Sequence, residues 1–406
     1  MEQGTTDNSL PGIPGDFLER ARTLQEQVTA WRRDFHRHPE LGYEEFRTSD
    51  IVAAYLDRLG LEVVRGLGGT GVVGILRGGG PGPTFALRAD MDALPIADRK
   101  NVPYKSLNEG VAHLCGHDGH TSMLMGAAHL LTELRESLRG NIKFIFQPAE
   151  EGLFGARKMI EDGVLKNPQV SAIAGLHVNP NLPTGKLSVA RGIACAACDT
   201  LKIKIIGKGG HAAHPHLGID SIAVAAQVVS ALQLIASRQI DPLQPVVVTI
   251  GRIEGGVGGT AIAPEVSMLG TVRTLSPALR GQMPDLIERV IRGITESFGA
   301  SYELEYINGN PSIVNDDGMV DLLARASRQV LGGQVLDFVP PSMGGEDFSF
   351  YSFEVPAVFY RLGVNEGTAE TSYPLHHPMF DLDEGALTIG IAAHAAIAWH
   401  YLEENT

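Results

Sequence analysis

Thr84-Phe85-Ala86-Leu87-Arg88-Ala89-Asp90-Met91-Asp92 opens on apolar residues and closes on two carboxylates. The pattern recurs at 141–146, which runs into Glu150 and Glu151, and at 171–176, which runs into His177. Short apolar runs of this kind are how buried parallel strands read, and ligands of open α/β sheets collect just beyond the carboxyl ends of such strands. Between the first and second runs lies Cys115-Gly116-His117-Asp118-Gly119-His120, which adds sulfur and nitrogen donors to the same rim. Donors gathered at several strand ends point to a metal site.

Outward from these runs, the pattern predicts helices over 16–37, with Phe17, Ala21, Leu24, Val28 and Trp31 or Phe35 on one stripe and Pro39 as the stop, and over 44–59. β-Type runs follow at 62–64, 71–76 and 84–87, then a helix over 121–138 leading into the strand at 141. This is the strand–helix–strand alternation of a mixed, largely parallel sheet with helices on both faces. From about residue 200 the order becomes strand 201–206, helix 219–237, strands 246–254 and 265–273, helix 279–298 and strand 301–306. That β-α-β-β-α-β order is ferredoxin-like and reads as an inserted α+β domain over 196–309. A helix at 317–331, a strand at 357–362 and a helix at 384–402 return to the first domain, which is therefore discontinuous, 15–195 with 310–406.

Composition narrows the function. The 406 residues suffice for two domains, and 33 basic against 47 acidic side chains give a net charge of −14 with no basic cluster. Phosphate neutralisation has no cationic surface to work with, which excludes nucleic acid and anionic membranes as partners and favours a small-molecule substrate. No run approaches the roughly 20 apolar residues of a membrane span, and residues 1–14 lack the basic start and apolar segment of a secretory signal. Cytoplasmic location is the resulting expectation. Three cysteines make no disulfide framework, and Cys195-Ala196-Ala197-Cys198 reads as small buried residues rather than a redox pair. Gly69-Thr70-Gly71-Val72-Val73-Gly74 fits G-x-G-x-x-G, but a β-type run follows the glycines where a dinucleotide site needs a helix, so they are read as hairpin turns.

Cys115 and His117 are one residue apart, so both can face one side of a looped backbone. A thiolate with imidazoles suits zinc, nickel, cobalt or manganese better than calcium or magnesium. Glu150 and Glu151 are adjacent carboxylates just after Pro148, where a turn can bring both into one pocket, and cations nearby would relieve their repulsion. One of them could bind metal while its neighbour accepts a proton from bound water.

The chain resembles the M20 metallopeptidases, in the amidohydrolase branch with hippurate hydrolases, N-acyl-amino-acid amidohydrolases and auxin-conjugate hydrolases. The resemblance rests on nine segments in order. They are His36-Arg37-His38-Pro39-Glu40-Leu41-Gly42, Leu87-Arg88-Ala89-Asp90-Met91-Asp92-Ala93-Leu94-Pro95, His113-Leu114-Cys115-Gly116-His117-Asp118-Gly119-His120, Phe146-Gln147-Pro148-Ala149-Glu150-Glu151, Gly175-Leu176-His177, Gly210-His211-Ala212-Ala213, Gly270-Thr271-Val272-Arg273, Gly344-Gly345-Glu346-Asp347-Phe348 and Leu375-His376-His377-Pro378.

It implies two divalent metal ions held by Cys115, His117, Glu151, His177 and His376, with Cys115 bridging and Glu150 as general base. Asp92 would orient a ligand, whereas His113 and His120 would be structural. The inserted domain would be a lid and dimerisation domain of a homodimer, or of a higher assembly, whose His211 serves the partner's site as the oxyanion donor. Arg273 is the candidate for the substrate carboxylate. Thr260 stands where the branch carries asparagine, a shorter hydroxyl in place of an amide. The implied reaction is metal-dependent hydrolysis of N-acyl amino acids. Two rivals are a di- or aminopeptidase-like member of the family and a non-catalytic binding protein.

Overall fold

The structure, a computed structural model, describes residues 16–368 and 372–406. These fall into two compact units. One comprises the described residues up to Gly192 with Val314–Val339 and those of Phe350–Thr406; the other comprises Ile193–Ile313 and Pro340–Ser349. The sequence reading assigned all of 310–406 to the first domain, whereas Pro340–Ser349, with Gly345 and Glu346, joins the second unit. Its backbone is tied there: Ser342 N donates to Ala194 O at 2.9 Å, and Ala196 N donates to both Ser342 O and Gly344 O.

The first unit is built on an eight-stranded mixed sheet in the order Glu62–Leu67, Gly71–Arg77, Arg139–Gln147, Gly80–Asp90, Ala172–Pro183, Ala357–Asn365, Leu187–Val189, Leu336–Phe338. The central pairings are parallel, from Arg139–Gln147 through Gly80–Asp90 and Ala172–Pro183 to Ala357–Asn365. The late strand Ala357–Asn365 lies between two strands made much earlier, parallel to one and antiparallel to the other. Its neighbours are buried nearly throughout, which is why these runs read as continuous apolar stretches rather than alternating ones.

Helices cover both faces. Gly71 and Gly74 have opposite parity on one strand and so face opposite sides; a Cβ on the first would meet Met159 of Gly155–Glu161, and on the second Leu56 of Phe46–Arg58. The helices Gln25–Arg37, His117–Glu133, Asp317–Leu331 and Ala386–Glu404 pack together over the sheet and share one core with it.

The second unit holds a four-stranded antiparallel sheet in the order Val246–Gly255, Glu265–Thr274, Ala197–Ile206, Ser301–Ile307. Numbered along the chain, the spatial order of strands is 2-3-1-4, as the ferredoxin-like reading requires. Two helices cover one face. Ser221–Leu234 is capped by the Asp220 carboxylate and Pro277–Ser297 by the Ser276 hydroxyl. Leu201, Ile203, Ile205, Val228, Leu232, Met268, Ile287 and Ile291 make the core.

One helical stretch, Ser221–Gln239, does reach the length and mean hydropathy (1.4) of a membrane span, contrary to the expectation that no run approaches it. Only about a third of it is buried: Val224, Ala225, Val228 and Leu232 form the face toward the sheet, while Ile222 and Leu234 are exposed.

Candidate metal centre

A strand end, the middle of a second strand, the turn after a third and one helix start meet in the first unit. Asp90 closes the strand Gly80–Asp90, His177 lies in Ala172–Pro183, and Glu150 and Glu151 follow Arg139–Gln147 across an irregular turn. His117 begins the helix His117–Glu133, whose N-cap Gly116 has φ 91°, ψ 12°. That left-handed geometry suits glycine, and a Cβ there would lie 2.4 Å from Val178 Cγ2, so the bend between Cys115 and His117 depends on Gly116. His376 arrives from a late loop whose N–H donates to Leu114 O at 2.8 Å, beside Cys115.

The donor atoms converge. Cys115 Sγ lies 3.4 Å from His177 Nε2 and 3.3 Å from His376 Nε2. His376 Nε2 is also 3.3 Å from Glu151 Oε1. Two donor groups therefore share the sulfur: Cys115 with His117 and His177, and Cys115 with Glu151 and His376. Within either group the candidate ligand atoms lie within 4.8 Å of one another, and the same holds for His117, Glu150 and Glu151.

Two of the imidazoles are turned by a partner on the nitrogen away from the cluster. His117 Nδ1 lies 2.9 Å from Asp92 O and 3.2 Å from Asp92 Oδ1. His177 Nδ1 lies 2.8 Å from Val178 O. Donation from Nδ1 leaves both Nε2 atoms as lone pairs aimed at the cluster. His117 Nε2 is buried and has no hydrogen-bond partner among the described residues. A buried acceptor left without a donor amid sulfur and carboxylate suits a cation.

Electrostatics agree. Burial opposes a charged His117, yet Asp90 and Cys115 outweigh it and hold its pKa well above the usual range. Hydrogen bonds to Cys115 and Glu151 push His376 up to about 10. Burial pushes the Cys115 thiol up, with His117 pulling it back, and burial followed by the nearby His120 holds His177 well below the ordinary value. Positive charge is thus favoured at His117 and His376 and disfavoured by burial at His177. The residues present fit a divalent-cation site.

The surrounding residues divide by their contacts. Asp92 serves two neighbours, since Oδ2 accepts from Glu151 N at 2.9 Å while the opposite side meets His117. His120 is fully used: Nδ1 lies 2.6 Å from Asp90 Oδ1 and Nε2 accepts from Val178 N at 2.9 Å. His113 is buried without a hydrogen-bond partner among the described residues, and burial lowers its pKa to about 3.

Sequence reasoning gave no role to Arg32, His36 or Glu45. Arg32 and His36 share the Asp118 carboxylate at 2.9 and 2.7 Å, and Arg32 also bridges Asp381 at 2.5 Å. Those pairs tie the residue after His117 to the segment after His376. Burial lifts Glu45 to about 7 against the pull of a hydrogen bond from Thr70. The buried charges of this stretch, hidden inside a helical pattern, were the available signal.

The second unit carries the other candidates. His211 and Thr260 are together: Ala261 pairs with His211 across a short ladder, and Ala212 N donates to Thr260 O at 3.0 Å. Both residues are exposed. Arg273 sits near the far end of Glu265–Thr274, in register with Cys198, and donates to Thr271. Eight residues of strand separate Glu265 from Arg273, roughly 27 Å at 3.4 Å per residue. His211 and Thr260 lie in and beside a separate two-stranded ladder beyond the Glu265 end of the strand Glu265–Thr274, and Arg273 lies near its other end.

Residues 86–400 match the profile of peptidase family M20/M25/M40. N-acetylcysteine deacetylase of Bacillus subtilis is 42% identical over 384 residues, spanning 94% of this chain and 98% of that protein. IAA-amino acid hydrolase ILR1-like 4 of Arabidopsis thaliana is 40% identical over 405 residues, 98% of this chain and 91% of the relative. Among solved structures, the Bacillus subtilis YXEP protein, described as a dinuclear metal binding peptidase from the M20 family, is similar with a TM-score of 0.82 at 37% identity, over 94% of this chain and 99% of that one.

Proposed function

The chain belongs to peptidase family M20/M25/M40 and is an amide-hydrolysing enzyme, and from that premise we propose that it hydrolyses N-acyl amino acids to a carboxylate and a free amino acid. The observation that carries this reading is the meeting of Cys115 Sγ with His177 and His376, the latter 261 residues away in sequence. A deacetylase and an amino-acid-conjugate hydrolase among the relatives support the substrate class.

Cys115, His117, Glu151, His177 and His376 would hold two divalent cations, drawn from zinc, manganese, nickel and cobalt, and Cys115 belongs to both donor groups. When bound, such ions acidify water and polarise a carbonyl. The chain's own residues do the rest. Glu150, buried beside Glu151 and His117, accepts the proton of the attacking water and delivers it to the departing amide nitrogen. Asp92 keeps the His117 ring and the Glu151 backbone in place. His211 donates to the oxyanion and Arg273 receives the substrate carboxylate through its forked guanidinium. Their separation along the sheet favours a homodimer in which His211 comes from the partner subunit. Thr260 would then alter the carboxylate contact beside it. Cytoplasmic location remains part of the proposal.

The test is a substrate panel run with metal analysis. N-acetyl and N-benzoyl amino acids should be cleaved faster than dipeptides, and a preference for a free α-amino group would overturn the reading in favour of a peptidase. Chelation should abolish turnover and the named ions should restore it; full activity in a chelated, metal-free preparation would remove the mechanism.

A further inference from the structure

The turn that presents Glu150 and Glu151 is held by more than its own bonds. Ala149 is left-handed at φ 56°, ψ 45°, Glu151 lies at φ −68°, ψ 68°, Gly152 at φ 78° and Phe154 at φ 63°. Left-handed non-glycine residues are strained and persist only where their surroundings over-determine them. Those surroundings come largely from residues 43–45, which follow directly on the segment 36–42 that the metal cluster leaves unused.

Glu45, fully buried, accepts from Ala149 N at 2.8 Å through Oε1, and its Oε2 accepts from the Thr70 hydroxyl. Tyr43 Oη donates to Leu153 O at 2.8 Å. Asp92 Oδ2 takes the Glu151 N–H at 2.9 Å. The amides immediately before and after Glu150 are therefore each held by a buried carboxylate, and the carbonyl at the far side of the turn is held by Tyr43. The turn is closed against itself as well: Gly155 N donates to Ala149 O at 3.1 Å, and a Cβ at Gly155 would lie 1.7 Å from Pro148 O.

We infer that Glu45 is a positioning residue for hydrolysis: by holding the Ala149 N–H it clamps the left-handed turn that aims the Glu150 carboxylate. The inference rests on the reading of Glu150 as the proton carrier. Glu45 touches neither substrate nor ligand atoms in this role; it acts through the backbone. Thr70 in turn fixes Glu45, and Ser49 donates to the Thr70 carbonyl, so the clamp is anchored to the helix Phe46–Arg58.

The experiment compares Glu45→Ala, Glu45→Gln, Thr70→Val and Glu150→Gln in the metal-loaded enzyme with an N-acetyl amino acid. Glu45→Ala should lower kcat by about 10- to 100-fold, the scale of a misplaced reacting group, with KM changed less than about twofold. Glu45→Gln retains an oxygen for the Ala149 N–H and should recover most of that loss. Thr70→Val should fall between them and serves as the readout where Glu45→Ala does not fold. An unchanged kcat in both Glu45→Ala and Thr70→Val, or a Glu45→Gln variant as slow as the alanine, overturns the clamp. Glu150→Gln separates the two readings: if it too is fully active the proton-carrier assignment fails, whereas an inactive Glu150→Gln beside an active Glu45→Ala defeats the clamp alone.

Discussion

Asp92 shows how much one side chain can hold. Its carboxylate meets the ring nitrogen of His117 on one side and the amide of Glu151 on the other, so two proposed ligands take their orientation from a single residue that binds no cation itself. An amide at this position leaves one oxygen for two donors. Asp92→Asn is accordingly expected to weaken metal binding by about 10- to 100-fold, the usual cost of losing a partner of this kind, as measured by competition with a chelator of known affinity. Glu150 behaves differently. Glu150→Gln should keep its full complement of metal by elemental analysis and lose about 100- to 10,000-fold in rate, because the amide cannot carry the proton.

Elements were legible where periodicity or an apolar run dominates. The helix Asp317–Leu331 coincides with its sequence reading, and the central strands run a few residues past theirs. The misses have physical causes. The single helix expected over 16–37 is two, Phe17–Thr23 and Gln25–Arg37, joined at Leu24. The helix expected from 121 begins at His117, because its first turn buries His117, Asp118 and His120 in the site instead of facing water. Polar residues there mimic a loop. Leu187–Val189 and Leu336–Phe338 are too short to show alternation.

The last helix, Ala386–Glu404, is buried on nearly every side and includes His394, whose pKa burial lowers to about 3 from an ordinary 6.5. Between those values the unfolded chain binds the extra proton, so stability contributed by neutral His394 is present above about pH 6.5 and is lost as pH falls toward 3. Urea unfolding at pH 7 and pH 5 should show a smaller acid loss in His394→Gln than in the parent chain; equal losses would dismiss this histidine as a contributor.

At the scale of the molecule, a metal site was suggested by donors that cluster at 115–120 and follow apolar runs at Asp90, Glu150 and His177, whereas the particular ligand set, His376 included, came from the family resemblance. The arrangement of the second unit was not. Nothing in the sequence of residues 260–273 says that Thr260 lies beyond the start of the strand Glu265–Thr274 and Arg273 near its end, and Pro340–Ser349 carries no periodicity to announce its unit. If His211 completes a partner's site, mixing inactive His211→Ala with inactive Glu150→Gln and allowing subunits to exchange should regain up to about a quarter of parental activity per total site, since half the dimers are mixed and one of their two sites is intact. No recovery after verified exchange would place His211 in its own chain's site or in none.

The strand Ala357–Asn365 sits inside the sheet between neighbours encoded some 170 residues earlier. While the ribosome is still translating the second unit, the nascent first unit has a bare seam along Ala172–Pro183 and lacks His376. A message cut short upstream of that strand would release a polypeptide with an unpaired edge, the kind that recruits other chains. The proposed donor group that includes His376 is thus completed only when synthesis is nearly finished, while Cys115, His117 and His177 are made much earlier.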